Sequence, residues 1–233
     1  MSGKLYGVGL GPGDPELLTL KAHRLIAGAQ VIAYPSLEGG DSFARSIAAE
    51  FIPENCAEVA ISIPMSVARK PAQDAYDTGA SDIAAHLDAG RDVVVLCEGD
   101  PFFYGSFMYL FSRLADRYPA EVVPGVTSVT ACAAALGRPL AARNEVLTII
   151  PGPMPEDEMC DRIASAEAVA IIKVGRHLAK IRRVLQSLGH EADAGYIERA
   201  SLPMQKVLPL AAAPDEAPYF SMILMMKGLD PWL

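Results

Sequence analysis

The sequence predicts an α/β fold in two domains. An N-terminal, mostly parallel sheet with helices on both faces is expected over residues 1–142, and a smaller mixed α/β domain over residues 143–233. Three observations carry that reading. Short apolar runs alternate with stretches of helical period along most of the chain, the pattern of repeated βαβ units. Val93-Val94-Val95-Leu96-Cys97 is a continuous, largely β-branched run, as expected of a strand buried on both faces of a parallel sheet. Near the C-terminus two apolar runs, 205–208 and 219–226, follow one another with prolines and no helix between them, which predicts a closing pair of strands at a mixed or antiparallel edge.

The first strand, Leu5 to Val8, passes through Gly7, Gly9, Gly11 and Gly13 into a helix that Asp14 is expected to cap, with Pro15 at its first position. Leu17, Leu18, Ala22, Leu25, Ile26 and Ala29 give that helix an apolar face, and Gly28 ends it. Val31 to Tyr34 reads as a second strand, closed by Pro35-Ser36. Ser42 is then expected to cap a helix reaching Phe51. A strand at 57–61 and a helix at 74–88, stopped by Gly90, complete the approach to the strand at 91–97. That strand ends in Glu98-Gly99-Asp100-Pro101, a second Gly-Asp-Pro, ahead of a helix at 106–115. A further strand, 121–123, ends in Pro124-Gly125-Val126-Thr127-Ser128 and leads into a helix of small residues that closes at Gly137. Three strand ends thus point at helix starts, and in an open parallel sheet such ends share one edge, where ligands bind. Beyond residue 143, strands at 146–150, 169–174 and 195–198 alternate with helices at 157–165 and 177–188. Residues 139–144 are the expected hinge, with the site in the cleft between the domains.

Composition narrows the function. A 233-residue chain that is 51% hydrophobic and 21% charged suits a globular enzyme, and a net charge of -8 argues against nucleic acid or an anionic membrane as the main partner. Cys56, Cys97, Cys132 and Cys160 are far apart with no C-x-x-C pair, so reduced thiols in a cytoplasmic protein are expected. His23, His86, His177 and His190 show no metal-ligand spacing, and no metal site is predicted. A signal segment is absent from the reading, as is any apolar stretch near the ~20 residues that span a membrane.

What the glycine loop holds is constrained by what it lacks. Counted from Gly7, the third glycine of a dinucleotide fingerprint would fall on Pro12, and no acidic residue ends the next strand. Asp14-Pro15 stands where a phosphate-binding loop would carry Lys-Ser or Lys-Thr, and an anionic side chain disfavours a bound phosphate. One such loop alone serves equally well as a tight strand-to-helix connection. Three together, at one sheet edge, point to a ligand.

In order and spacing, Val8-Gly9-Leu10-Gly11-Pro12-Gly13-Asp14-Pro15 with Leu17-Leu18-Thr19, then Gly99-Asp100-Pro101, then Val123-Pro124-Gly125-Val126-Thr127-Ser128, resemble the tetrapyrrole (corrin and sirohaem) methylases along essentially the whole chain. The resemblance implies two α/β domains cradling S-adenosylmethionine, a tetrapyrrole substrate and a homodimer. It further implies cofactor contacts at Pro12, Glu98, Gly99, Asp100, Phe103, Thr127 and Ser128, and at Val174 and Ala200 in the second domain. For Asp100, Thr127 and Ser128 a capping role stands beside the cofactor role. Gly99 to Leu110 and Ser42 to Ala48 look most like the branch that methylates C20 of precorrin-2, whereas uroporphyrinogen methylases place an Asp where this chain has Tyr34-Pro35-Ser36. A substrate rich in carboxylates calls for cations, for which Arg45, Arg69, Lys70, Arg113 and Arg143 are candidates, with Tyr34 and Tyr104 placed to orient its ring. No catalytic base is identified. Another tetrapyrrole methylase, acting on a cobalt-containing C20 substrate or at another corrin-ring position, a non-catalytic nucleotide-binding module and an RNA methylase of the same fold are the alternative readings.

Overall fold

The computed structural model describes residues 2–64 and 69–228. The chain forms two compact units that divide between Thr127 and Ser128.

In the first unit, β1 (Leu5–Gly9), β2 (Val31–Leu37), β3 (Ala57–Ile63), β4 (Val93–Cys97) and β5 (Ala120–Val123) form one sheet in the order β3-β2-β4-β1-β5. Every pairing in it is parallel. Alternation along β4 shows why the sheet is covered twice. Val93, Val95 and Cys97 join a core with α3 (Arg69–Asp88) and α4 (Phe107–Leu114). Val94 and Leu96 join another with α1 (Leu20–Ala27) and α2 (Phe43–Ala48). On β1 the Phe107 ring of α4 lies 2.2 Å from where a Gly7 Cβ would stand, so that glycine admits a helix rather than a ligand.

The second unit has a mixed sheet, as expected. β6 (Leu147–Pro151), β7 (Ala168–Ile172), β8 (Ala194–Glu198), β9 (Lys206–Pro209) and β10 (Ser221–Met226) are ordered β6-β7-β10-β8-β9. β6 runs parallel to β7, while β10 is antiparallel to both β7 and β8. One face packs on α6 (Glu156–Ser165) and α7 (Leu178–Ser187), through Met159, Ile163, Ile181 and Leu185. Toward the sheet's other side, α5 (Ser128–Leu136) sets Leu136 where a Gly195 Cβ would fall, at 2.6 Å.

Several local expectations are corrected. Asp14 does not open the first α-helix: its Oδ1 accepts from the Glu16 N–H at 2.9 Å and caps a 3-10 turn, Pro15–Leu17. The α-helix starts at Leu20, where the Thr19 hydroxyl accepts from the Ala22 N–H at 3.1 Å. Ser42 caps α2 as expected, through the Arg45 N–H at 3.2 Å, but that helix tightens into a 3-10 turn after Ala48. The two closing strands are not partners, because β8 lies between β9 and β10 and pairs with each. The small-residue helix, read from sequence as part of the first domain, is α5 and packs on β8 and β10 of the second sheet.

Candidate active site

β1 lies between β4 and β5, so the loops that leave these three strands emerge side by side at one sheet edge. The loop after β1 and the loop after β4 are joined by a backbone pair: Gly11 N–H donates to Gly99 O at 3.2 Å, and Gly99 N–H to Gly11 O at 2.7 Å. The loop after β5 is held by Asp100, whose Oδ2 accepts from the Gly125 N–H at 3.0 Å. The other carboxylate oxygen accepts from the Phe102 and Phe103 N–H groups at 2.9 and 3.1 Å. Asp100 is thus a cap and a clamp at once, although it caps a turn, and α4 begins only at Phe107.

Glycines make this convergence sterically possible. A Cβ on Gly9 would come within 2.6 Å of Gly125 N, and one on Gly125 within 2.1 Å of Gly99 O. Side chains at either position would push the loops apart. Gly99 differs: its φ of +66° lies in the left-handed region, yet nothing stands within 4 Å of a Cβ built there. Its glycine answers to backbone conformation, and the space beside it is open.

The other expected cofactor residues are distributed as follows. Pro12 and Phe103 are partly buried in the first and second loops. Glu98, also partly buried, follows β4; burial raises its carboxyl, and its own and Ala44's backbone N–H groups pull it back only in part. Thr127 closes the third loop and Ser128 begins α5. In the second unit, Val174 follows β7 and Ala200 follows β8, both buried.

Most expected substrate contacts have partners in the protein. Arg45 forks Glu58, with Nε to Oε2 at 2.6 Å and Nη2 to Oε1 at 2.8 Å, and the Tyr34 hydroxyl donates to the same carboxylate at 2.7 Å. The guanidinium holds the Glu58 carboxyl below its ordinary value; burial first, and Glu58 next, raise Tyr34. Arg113 Nε donates to Asp77 Oδ1 at 2.6 Å, and its Nη1 to Tyr109 O at 2.8 Å. Tyr104 is 45% exposed, with φ +56° and its ring edge-on to Phe103. Lys70 is exposed and Arg143 takes a φ of +48°, while the Arg69 side chain lies outside what the structure describes.

The Asp100 bridge to Gly125 escaped the sequence reading, since a cap is a local signal and this contact links residues in different loops. Cys97, buried beneath Gly105, has its thiol pushed up to about 11 by burial, which disfavours the thiolate a nucleophile requires. Among the described residues, no group of three His, Cys, Asp or Glu side chains is placed to hold a metal ion. No helix among them is long and apolar enough to cross a membrane.

Known proteins share this architecture. Precorrin-2 C(20)-methyltransferase of Sinorhizobium is 43% identical over 237 residues, covering 98% of this chain and 97% of that one. The cobalamin biosynthesis protein CobIJ of Mycobacterium tuberculosis H37Rv is 44% identical over 235 residues, covering 97% of this chain but 46% of its own. This chain spans about half the length of that relative. Among solved structures, uroporphyrin-III C-methyl transferase from Thermus thermophilus, complexed with S-adenyl homocysteine, superposes with a TM-score of 0.70 at 27% identity, covering 96% of this chain and 97% of that one. The model of the Tetrapyrrole (Corrin/Porphyrin) Methylases matches residues 4–213, and to that family this chain belongs.

Proposed function

We propose that this chain is an S-adenosylmethionine-dependent C-methyltransferase that methylates C20 of precorrin-2, giving precorrin-3A, in cobalamin biosynthesis. The observation that carries the reading is the end-to-end match with the Sinorhizobium enzyme, in which 97% of that chain is covered. The loop cluster supports the cofactor. A molecule with one carboxylate, one ammonium, a flat base and no phosphate suits backbone donors and acceptors and the open space beside Gly99. The loop residues named above, from Pro12 to Ser128, are the proposed contacts, together with Val174 and Ala200.

When bound, the cofactor supplies an electrophilic methyl group on a sulfonium. Because the sulfur leaves neutral, the protein need not supply a strong acid, and its task is to align the acceptor carbon and to exclude water. Asp100 serves that task by fixing two of the three loops relative to each other. Glu98 is a partly buried titratable group just past β4, and burial favours its protonated form. Tyr104, exposed beside the loops, is a proposed contact for the ring; Tyr34, Arg45 and Arg113 would have to exchange their present carboxylate partners to reach a substrate. The same reading makes the protein a cytoplasmic homodimer. Light scattering that gave the mass of a single 24.8 kDa chain would count against the dimer.

The test is an oxygen-free incubation with S-adenosylmethionine and reduced precorrin-2. The expected result is a product heavier by one methyl group, located at C20 by NMR, with stoichiometric S-adenosylhomocysteine. A methyl group at another ring carbon would overturn the C20 assignment, and unchanged substrate would overturn the activity.

A further inference from the structure

We infer that Glu98 is the catalytic base of the methyl transfer, taking up the proton that the acceptor carbon releases. This rests on the function proposed above and adds the group that carries the proton away. Glu98 stands where the three glycine loops meet. It follows β4, the strand between β2 and β1, and it precedes Gly99, whose backbone pairs with that of Gly11. The Gly99 carbonyl oxygen leaves no room for a Cβ on Gly9 or Gly125, so all three loops close around this one peptide. The space where a Gly99 Cβ would stand is open, and a partly buried carboxyl one residue earlier borders it.

The other proton acceptors around these loops are committed or shut away. Asp14 Oδ1 accepts from the Glu16 N–H, and Asp100 accepts from the Phe102, Phe103 and Gly125 N–H groups, so a proton on either carboxylate would compete with the bonds that shape its loop. The Cys97 thiol on β4 and the Tyr76 phenol on α3 both feel the Glu98 charge, yet both are buried. Burial pushes them up to about 11 and about 12, so they stay neutral where a carboxyl titrates. The histidines of the first unit sit elsewhere. His23 is exposed on α1 with its ring edge-on to Phe51 at 4.8 Å, and the His86 carbonyl accepts from the Arg91 N–H at 3.1 Å, ahead of the opposite end of β4.

Glu98 itself is set up to accept a proton. Burial is the largest influence on its carboxyl, the opposing influences are its own and Ala44's backbone N–H groups, and no cation is among them. On α2, the helix that carries Ala44, the guanidinium of Arg45 is forked onto Glu58. A carboxylate in a drier setting without a cation is a stronger base than one in water, which brings it nearer the pH at which a proton must be taken. The step balances. The acceptor carbon forms a bond to the methyl carbon, the electron pair of the broken carbon–sulfur bond stays on sulfur, and the proton on the acceptor carbon passes to a Glu98 carboxylate oxygen. The electrons of that carbon–hydrogen bond return to the conjugated ring, and solvent later takes the proton from Glu98.

Single-turnover formation of the methylated product, followed without oxygen from precorrin-2 and S-adenosylmethionine at saturation, tests the assignment in the full chain. Glu98→Gln keeps the shape of the side chain and removes its basicity. At pH 7.5 this variant is expected to form product about a hundredfold more slowly than the parent. Calorimetry should give it the parent's affinity for S-adenosylhomocysteine, and a melting curve should show it folded. In the parent the rate should rise with pH as Glu98 ionises and then level off, whereas the residual rate of Glu98→Gln should lack that rise, a difference that a merely structural role would not produce. A parent-like rate in the Gln variant overturns the proposal. So does a slow variant that retains the parent's pH dependence, because another group would then be taking the proton. Weakened S-adenosylhomocysteine binding with an undiminished rate at saturation also overturns it and makes Glu98 a cofactor contact alone. A parent protein that transfers no methyl group to precorrin-2 would instead count against the proposed function itself.

Discussion

Asp100 accepts three backbone N–H groups with one side chain, two in its own turn and one from the loop after β5. Loss of an ordinary cap costs about 1 kcal/mol, and charged acceptors are worth more than neutral ones, so Asp100→Ala is expected to lower unfolding stability by about 2 kcal/mol. Urea denaturation checks this, and a midpoint equal to the parent's would show that the bridge carries no weight. Glu98 supplies a pH-dependent prediction. Burial raises its carboxyl, so the folded protein holds that proton to higher pH than the unfolded chain does. The stability linked to that proton is present below the ordinary carboxylate value, near pH 4 to 5, and is lost as pH rises through the raised one. Glu98→Gln should therefore be more stable than the parent at about pH 7.5, and the gap should close by about pH 4. Melting curves across that range read it directly; a variant less stable than the parent at neutral pH contradicts it. Lys173 and Arg199 carry the opposite kind of cost, since left-handed positions are unfavourable for both by on the order of 1 kcal/mol each.

Among the elements, α4 shows how one glycine can serve packing while its neighbours shape a site. Phe107 is 1% exposed, and its ring fills the space over Gly7, close under the strand that leads to the first loop. Phe107→Ala removes that ring from a core that includes Leu110 and Val95, and is expected to cost about 3 to 5 kcal/mol. A loss under about 1 kcal/mol in chemical denaturation would mean that α4 does not anchor β1. The helices of the second unit sort by the same logic: α6 and α7 cover the face bearing Ile171 and Tyr196, and α5 reaches Gly195, where no side chain stands in its way.

Across the whole molecule, two sheets with separate cores bring strand ends together in two different ways. In the first unit every strand is parallel, so all C-terminal ends collect on one edge and three glycine loops meet there. In the second, an antiparallel strand comes between β7 and β8, which aligns their ends without pairing them. Much of this was legible in the sequence. The β-branched run of β4, the glycines at strand ends and the Ser42 cap act within a few residues of themselves, and local conformational preference alone determines them. The sequence also determined the family, through three loops whose order and spacing match its pattern. The rest was decided by contacts between distant residues. An exception is the start of α1, where the chain first closes a local 3-10 turn after Asp14 and Thr19 then caps the α-helix. β8 separates the two closing strands because a sheet's order follows burial and pairing, and adjacency in the chain does not fix it. Arg45 and Arg113 look in sequence like available cations, and only the folded chain brings Glu58 and Asp77 to them. A charge's availability depends on what faces it across space, and it is the tertiary structure that selects the neighbour.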